Sequence, residues 1–211
     1  MFIGMDVYKH FLVLKVGFAL SFFILVGCVS QPVDTGMMES DEVKRQRWVL
    51  NRECLSQLQA WQMVGRLNIK VPGRSGTMSI NWRQQGDRYE LIVDGPIGTS
   101  IARISGDREG VSVTASDATR YGSSPEMLLY SLTGWRFPVS NLRYWIKGLP
   151  APGSDAKIQL SNFGYPERIE QQGWTVVYQQ YGLGHSLRLP AKLTVSHEDV
   201  HLRLMVKTWE Y

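Results

Sequence analysis

Two cysteines, Cys28 and Cys54, are all that this 211-residue chain carries. They exclude a disulfide-stapled scaffold and any zinc site built from cysteine pairs at metal spacing. Charge of one sign is equally short. The net charge is only +4 and basic and acidic residues are interspersed, so no basic face stands out that would grip a nucleic-acid backbone, and no nucleic-acid partner is expected. No apolar run reaches the roughly 20 residues that a membrane-spanning helix needs. Internal repeats, low-complexity tracts, a Gly-x-Ser-x-Gly elbow and a P-loop are all missing, which leaves no sequence signal for serine hydrolysis or nucleotide binding. The isolated Cys54, beside Leu55 and Leu58, is expected as a small core residue.

What is present begins with a leader. Lys9 and Lys15 precede an uncharged run from Val16 to Val26 that is too short to span a bilayer and has the form of a secretory apolar region. It ends in Leu25-Val26-Gly27-Cys28, the pattern of a bacterial lipobox, in which the cysteine thiol takes a diacylglycerol and cleavage precedes it. Residues 1–27 are therefore expected to be a lipoprotein signal peptide, with Cys28 lipidated. Val29-Ser30 lacks the aspartate that holds many bacterial lipoproteins at the inner membrane. The expected location is the periplasmic face of the outer membrane, with acyl chains worth about 0.8 kcal/mol per buried CH₂ as anchor. Residues 28–38, with Pro, Gly, Ser, Thr and Asp and no apolar period, read as a flexible tether. Residues 39–211 are long enough for one domain with its own core.

From about Glu39 to Ala60 the pattern is helical. Glu39, Asp41 and Glu42 suit the first turn, and Trp48, Leu55 and Leu58 share a face. At Trp61 the period changes to two. Trp61, Met63, Leu67, Ile69 and Val71 alternate with polar residues, and the pattern repeats after short turns at Met78–Trp82, Tyr89–Val93, Ser100–Ser105 and Val111–Val113, predicting a five-strand antiparallel meander. Ser124-Pro125-Glu126 is a helix start. A second start at Pro138 leads to Leu142, Trp145, Ile146 and Leu149, with Gly148 as its stop. Strands return at Ile158–Leu160, Arg168–Glu170, Trp174–Tyr178, Leu193–Val195 and Leu202–Val206.

Many antiparallel strands interrupted by two short helices predict a mainly β fold: a strongly curved sheet with the helices inside it or across its mouth. Apolar alternation alone does not decide between a filled core and a cavity. Seven Trp and eight Met favour the cavity slightly, because Met-rich surfaces adapt to varied ligands. The candidate lining is Met63, Leu67, Ile80, Trp82, Leu91, Leu128, Leu132, Leu142, Trp145, Ile146, Trp174 and Val176. His197-Glu198-Asp199-Val200-His201 matches the H-E-x-x-H pattern of zinc peptidases, but that chemistry needs a helix, and the flanks here alternate as strands. A hairpin turn is expected instead, with no metal.

Several motifs carry a resemblance to a known family. Gly95-Pro96-Ile97-Gly98, Phe137-Pro138-Val139, Leu142-Arg143, Trp145-Ile146, Gly148-Leu149-Pro150, Gly173-Trp174-Thr175-Val176-Val177-Tyr178, Leu189-Pro190 and Lys207-Thr208-Trp209 resemble, in order, the outer-membrane lipoprotein receptors of the LolB family. The resemblance implies an unclosed antiparallel β-barrel with an α-helical lid over a hydrophobic cavity. It further implies a receptor, acting without cofactor or covalent chemistry, that accepts acylated lipoproteins from the periplasmic carrier LolA and inserts them into the outer membrane. A monomer is expected. It also implies a role for Ile97: in the family an apolar residue, usually Leu, projects from a Pro-x-Gly loop and is needed for membrane insertion. The residues agree in part, since Pro96 and Gly98 favour a tight turn with Ile97 at its tip. The rival expectation is a structural envelope lipoprotein with a solid interior and a protein partner.

Overall fold

The structure is a computed structural model that describes residues 40–182 and 187–211. The leader, the lipobox residues Leu25, Val26, Gly27 and Cys28, and the tether lie outside the described residues. Glu39–Tyr211 forms one compact unit. Every buried apolar side chain among the described residues lies within it, so the unit holds its own core.

Among the described residues, eleven antiparallel strands make one sheet. In chain order they are β1 (Ala60–Val71), β2 (Arg74–Gln85), β3 (Arg88–Asp94), β4 (Ser100–Gly106), β5 (Val111–Ala115), β6 (Ala118–Gly122), β7 (Ala156–Leu160), β8 (Pro166–Gln171), β9 (Trp174–Tyr181), β10 (Pro190–His197) and β11 (Val200–Glu210). Three helices accompany them among the described residues: α1 (Asp41–Ser56), α2 (Pro125–Thr133) and α3 (Val139–Trp145). The spatial order is β6-β5-β4-β3-β2-β1-β11-β10-β9-β8-β7. Strands that follow one another in sequence are thus neighbours, except that β6 and β7 sit at opposite edges and the first and last strands pair in the middle. The β6–β7 connection must cross the sheet, and it is this connection that contains α2 and α3. With about 20–25° of twist between neighbours, a sheet this wide curls. Its edges do not pair, so the barrel stays open.

The curl keeps one apolar face inside. Met63 faces Trp82, Leu67 faces Met78 and Leu204, Ile80 faces Val93, and Leu91 faces Ile104 across the ladders. Met63, Val176 and Leu193 are fully buried, and each such side chain contributes about 1.5–3 kcal/mol of burial free energy. Gly65 serves the close pairing of β1 with β11: a Cβ there would stand 2.5 Å from the Met205 carbonyl oxygen, at a register shift in the ladder.

Several expectations shift. The first helix is shorter than the predicted span. Trp48 and Leu55 do share its buried face and join Leu149 and Leu189 in a small second cluster, while Cys54 is exposed rather than in the core. Cys54 precedes Leu55 in the helix and so is turned away from the face that Leu55 buries. Strand β6 was not visible in the sequence because all five of its residues are exposed and impose no alternation. The Ser124 side chain accepts from Met127 N, Pro125 opens α2, and Gly134 at φ 78° closes it in the left-handed conformation that glycine adopts without strain. Helix α3 ends at Trp145, so Leu149 and Gly148 lie beyond it.

Candidate functional site

Between the concave face and the β6–β7 connection lies a cavity of about 480 Å³. Its walls follow from the strand period. Residues Met63, Leu67, Ile69 and Val71 of β1 lie on one face, and register brings to the same face Ile80 and Trp82 of β2, Leu91 and Val93 of β3, Leu193 and Val195 of β10, and Leu202 and Leu204 of β11. Leu129 of α2, Trp135 and Phe137 of the interhelical segment, Val139 and Leu142 of α3, and Ile146 just past it close the other side. A wider depression of about 710 Å³ elsewhere is bordered by Arg83, Arg88, Glu90, Asp107 and Glu109. Its charged border would not accept an apolar chain, which singles out the concave cavity as the site.

Of the predicted lining, Met63, Leu67, Ile80, Trp82, Leu91, Leu142 and Ile146 border this space. Five do not. Leu128 packs instead onto β6, so close that a Cβ at Gly122 would stand 3.0 Å from its Cγ. Leu132 is partly exposed on the outer side of α2. Trp145, Trp174 and Val176 are buried in the solid half of the interior, where the Trp145 and Trp174 rings lie 6.2 Å apart and the Trp174 ring lies tilted, 5.0 Å from that of His197. The β8–β9 part of the concave face is filled by the end of α3, where Trp145 meets Gln171, Trp174 and Tyr178, and the β1–β4 part, with the inner residues of β10 and β11, stays hollow. The missed residues on β10 and β11 had the right alternation; what the sequence lacked was their pairing with β1.

Helix α3 is fixed in place by polar contacts. Buried Gln171 accepts from Trp145 Nε1 and from Ala151 N, both at 2.9 Å, and donates to Ala151 O at 2.7 Å and to Ser154. Tyr178 Oη donates to Trp145 O at 2.8 Å, and burial pushes the Tyr178 phenol well up. Just past α3, Lys147 donates to Leu58 O at 3.2 Å and Leu55 O at 3.4 Å, at the C-terminal end of α1, where cations are favoured. Burial, with Arg143 adding repulsion, holds its ammonium down to about 8. Helix α2 packs on β5 and β6. Glu126 joins it to α3 by accepting from Ser140 N at 2.8 Å, and Met127 and Tyr130 face solvent.

Ile97 sits in the β3–β4 loop. Gly98 N donates to Gly95 O at 3.0 Å and Gly95 N donates to Thr99 O at 2.8 Å, so Pro96 and Ile97 occupy the corners of a β-turn. Ile97 is 91% exposed. Pro96 and Ile101 on either side of it line the cavity, so its side chain stands beside the cavity mouth.

The H-E-x-x-H segment is a hairpin turn. β10 ends at His197 and β11 begins at Val200, with Glu198 at φ 48° between them. His197 pairs with Val200 and Ser196 with His201, which puts the two imidazoles on opposite faces of the sheet, where they cannot share an ion. Among the described residues no three His, Cys, Asp or Glu side chains gather closely enough to hold a metal.

An open, curled antiparallel sheet whose edge-to-edge connection covers an apolar cavity defines a half-barrel of the kind suited to hydrophobic ligands. Residues 59–209 match the family described as "Outer membrane lipoprotein LolB". Relatives carrying the name outer-membrane lipoprotein LolB include one from Pseudomonas paraeruginosa (strain DSM 24068 / PA7), 36% identical over 78% of this chain and 81% of its own length. Another, from Pseudomonas putida (strain GB-1), is 37% identical over the same shares. The chain belongs to the LolB family. Among solved structures, a DUF1329 family protein from Desulfovibrio piger ATCC 29098 has the same fold at a TM-score of 0.53 and 10% identity, over 81% of this chain and 92% of that one.

Proposed function

We propose that this protein is a lipid-anchored receptor at the periplasmic face of the outer membrane, which accepts acylated lipoproteins from the carrier LolA and passes them into the membrane. The observation that carries the reading is the apolar cavity. At about 480 Å³ it falls in the size range of ligand pockets, and its walls are chiefly aliphatic and aromatic side chains from eight strands and helices. Acyl chains lose about 0.8 kcal/mol per CH₂ when exposed to water, so cargo must pass directly from one apolar host to another. The carrier and receptor therefore meet mouth to mouth. Transfer runs downhill without a cofactor or a bond made or broken, provided the receptor's cavity holds the chains at least as well as the carrier's.

Ile97 would act at the last step. Exposed beside the mouth, it can enter the lipid surface while the chains leave the cavity, and the lipid on Cys28 would keep the mouth near that surface. A structural lipoprotein with a solid interior is the reading that the cavity disfavours. The test mixes the soluble chain from residue 39 with LolA carrying an acylated lipoprotein, then separates the two proteins. Cargo recovered on this chain supports the receptor; cargo left wholly on LolA, with this chain shown to be folded, refutes it.

A further inference from the structure

Among the described residues that line the cavity, Arg74 alone carries a charge. It opens β2 and pairs with Val71, whose side chain is buried on the concave face. By the strand period Arg74 therefore faces inward with Met78, Ile80 and Trp82, at the end of the cavity. Between Arg74 and Met78 the inward position is Gly76, where an added Cβ would meet nothing within 4 Å. The wall is thus cut away next to the guanidinium, while the side chains of Ser75 and Thr77 point to the opposite face, where Thr77 accepts from Asn68. No carboxylate answers the charge: among the described residues Arg74 is in none of the ion pairs. An inward, unpaired guanidinium at the wet end of an apolar cavity is placed to meet the head of a molecule whose tails lie inside.

We propose that Arg74 is the head-group contact of the cavity, favouring amphiphiles that present an anionic or carbonyl oxygen at the mouth and disfavouring cationic heads. This rests on the cavity taking acyl chains. Guanidinium donates in a planar fork that suits carboxylate, phosphate and ester oxygens alike. Two sources offer such oxygens beside acyl chains: the diacylglyceryl cysteine of a lipoprotein and a phospholipid.

The test uses Glu39–Tyr211, which contains its own core. A fluorescent apolar probe is bound in the cavity and displaced by palmitate, by hexadecylamine and by hexadecanol, in the wild type, Arg74→Gln and Arg74→Glu. Exposed pairs of this kind are modest, so palmitate should displace the probe about five-fold better than hexadecylamine in the wild type. The preference should vanish in Arg74→Gln and invert in Arg74→Glu, with hexadecanol unchanged throughout. A preference that stays the same in all three proteins overturns the proposal while leaving the cavity intact. Failure of every chain to displace the probe from the wild type overturns the acyl-chain reading itself, and this proposal with it. A diacylglyceryl-cysteine tripeptide and phosphatidylglycerol, compared in the same assay, separate the two sources: the one weakened by Arg74→Glu is the one whose oxygen Arg74 reads, and weakening of neither refutes the contact.

Discussion

Overpacking at two positions distinguishes the hollow half of the interior from the solid half. Leu67 lies on the hollow side, facing Met78 and Leu204, and all three border the cavity of about 480 Å³. Val176 lies on the solid side, fully buried between Ile169 and Val195, which are 0% and 2% exposed. A larger side chain in a close-packed interior costs about 1–3 kcal/mol through forced rotamers and backbone shifts. Val176→Phe should lose at least that much. Leu67→Trp has free volume to enter and should stay within about 1 kcal/mol of the wild type, since the indole replaces empty space rather than neighbouring atoms. Urea denaturation of Glu39–Tyr211 measures both. The same indole occupies space that an apolar ligand needs, so binding of a fluorescent apolar probe should weaken about ten-fold in Leu67→Trp, a loss of about 1.4 kcal/mol. In Val176→Phe, probe binding by the folded fraction should be unchanged. If Leu67→Trp costs as much as Val176→Phe, the interior is filled in solution and the receptor mechanism loses its container.

Three further outcomes follow from particular contacts. Ile97→Glu should leave stability within about 0.5 kcal/mol and cargo acceptance unchanged, because the side chain is 91% exposed. Delivery of lipoprotein into vesicles should fail, and delivery equal to wild type would end the loop hypothesis. Gln171→Ala strands buried Trp145 Nε1 and Ala151 N without an acceptor, each costing about 1–3 kcal/mol, so a total near 3 kcal/mol is expected in urea melts; a loss below 1 kcal/mol would show that α3 is held by packing alone. Lys147 has its folded-state pKa lowered from 10.5 to about 8, so the unfolded chain binds that proton more tightly. Its contribution to stability is therefore greatest above pH 10.5, falls as pH drops towards 8, and its penalty is fully present below pH 8. The difference in stability between pH 8 and 10.5 should shrink in Lys147→Met, and an unaltered difference would rule out this assignment.

Ten of the eleven strands and all three helices were legible in the sequence, because half-buried strands and amphipathic helices write their burial as a period. Strand β6 was not, since nothing buries it. The tight turn at Pro96-Ile97-Gly98 and the hairpin at His197–His201 were also legible, through proline, glycine and the alternation of their flanks. The sequence alone determined which face of each strand is apolar, where the chain turns and, by its motifs, the family. The tertiary structure alone decided that β1 pairs with β11 and that the two edges stay apart. It alone decided that α3 fills one half of the concave face while the other stays hollow, leaving Trp174 and Val176 in core and Leu193 and Leu204 in cavity wall. All four are inward residues on strands of the same kind. Whether an inward side chain meets another side chain or open space depends on what the crossing connection places opposite it, and no local pattern of residues encodes that.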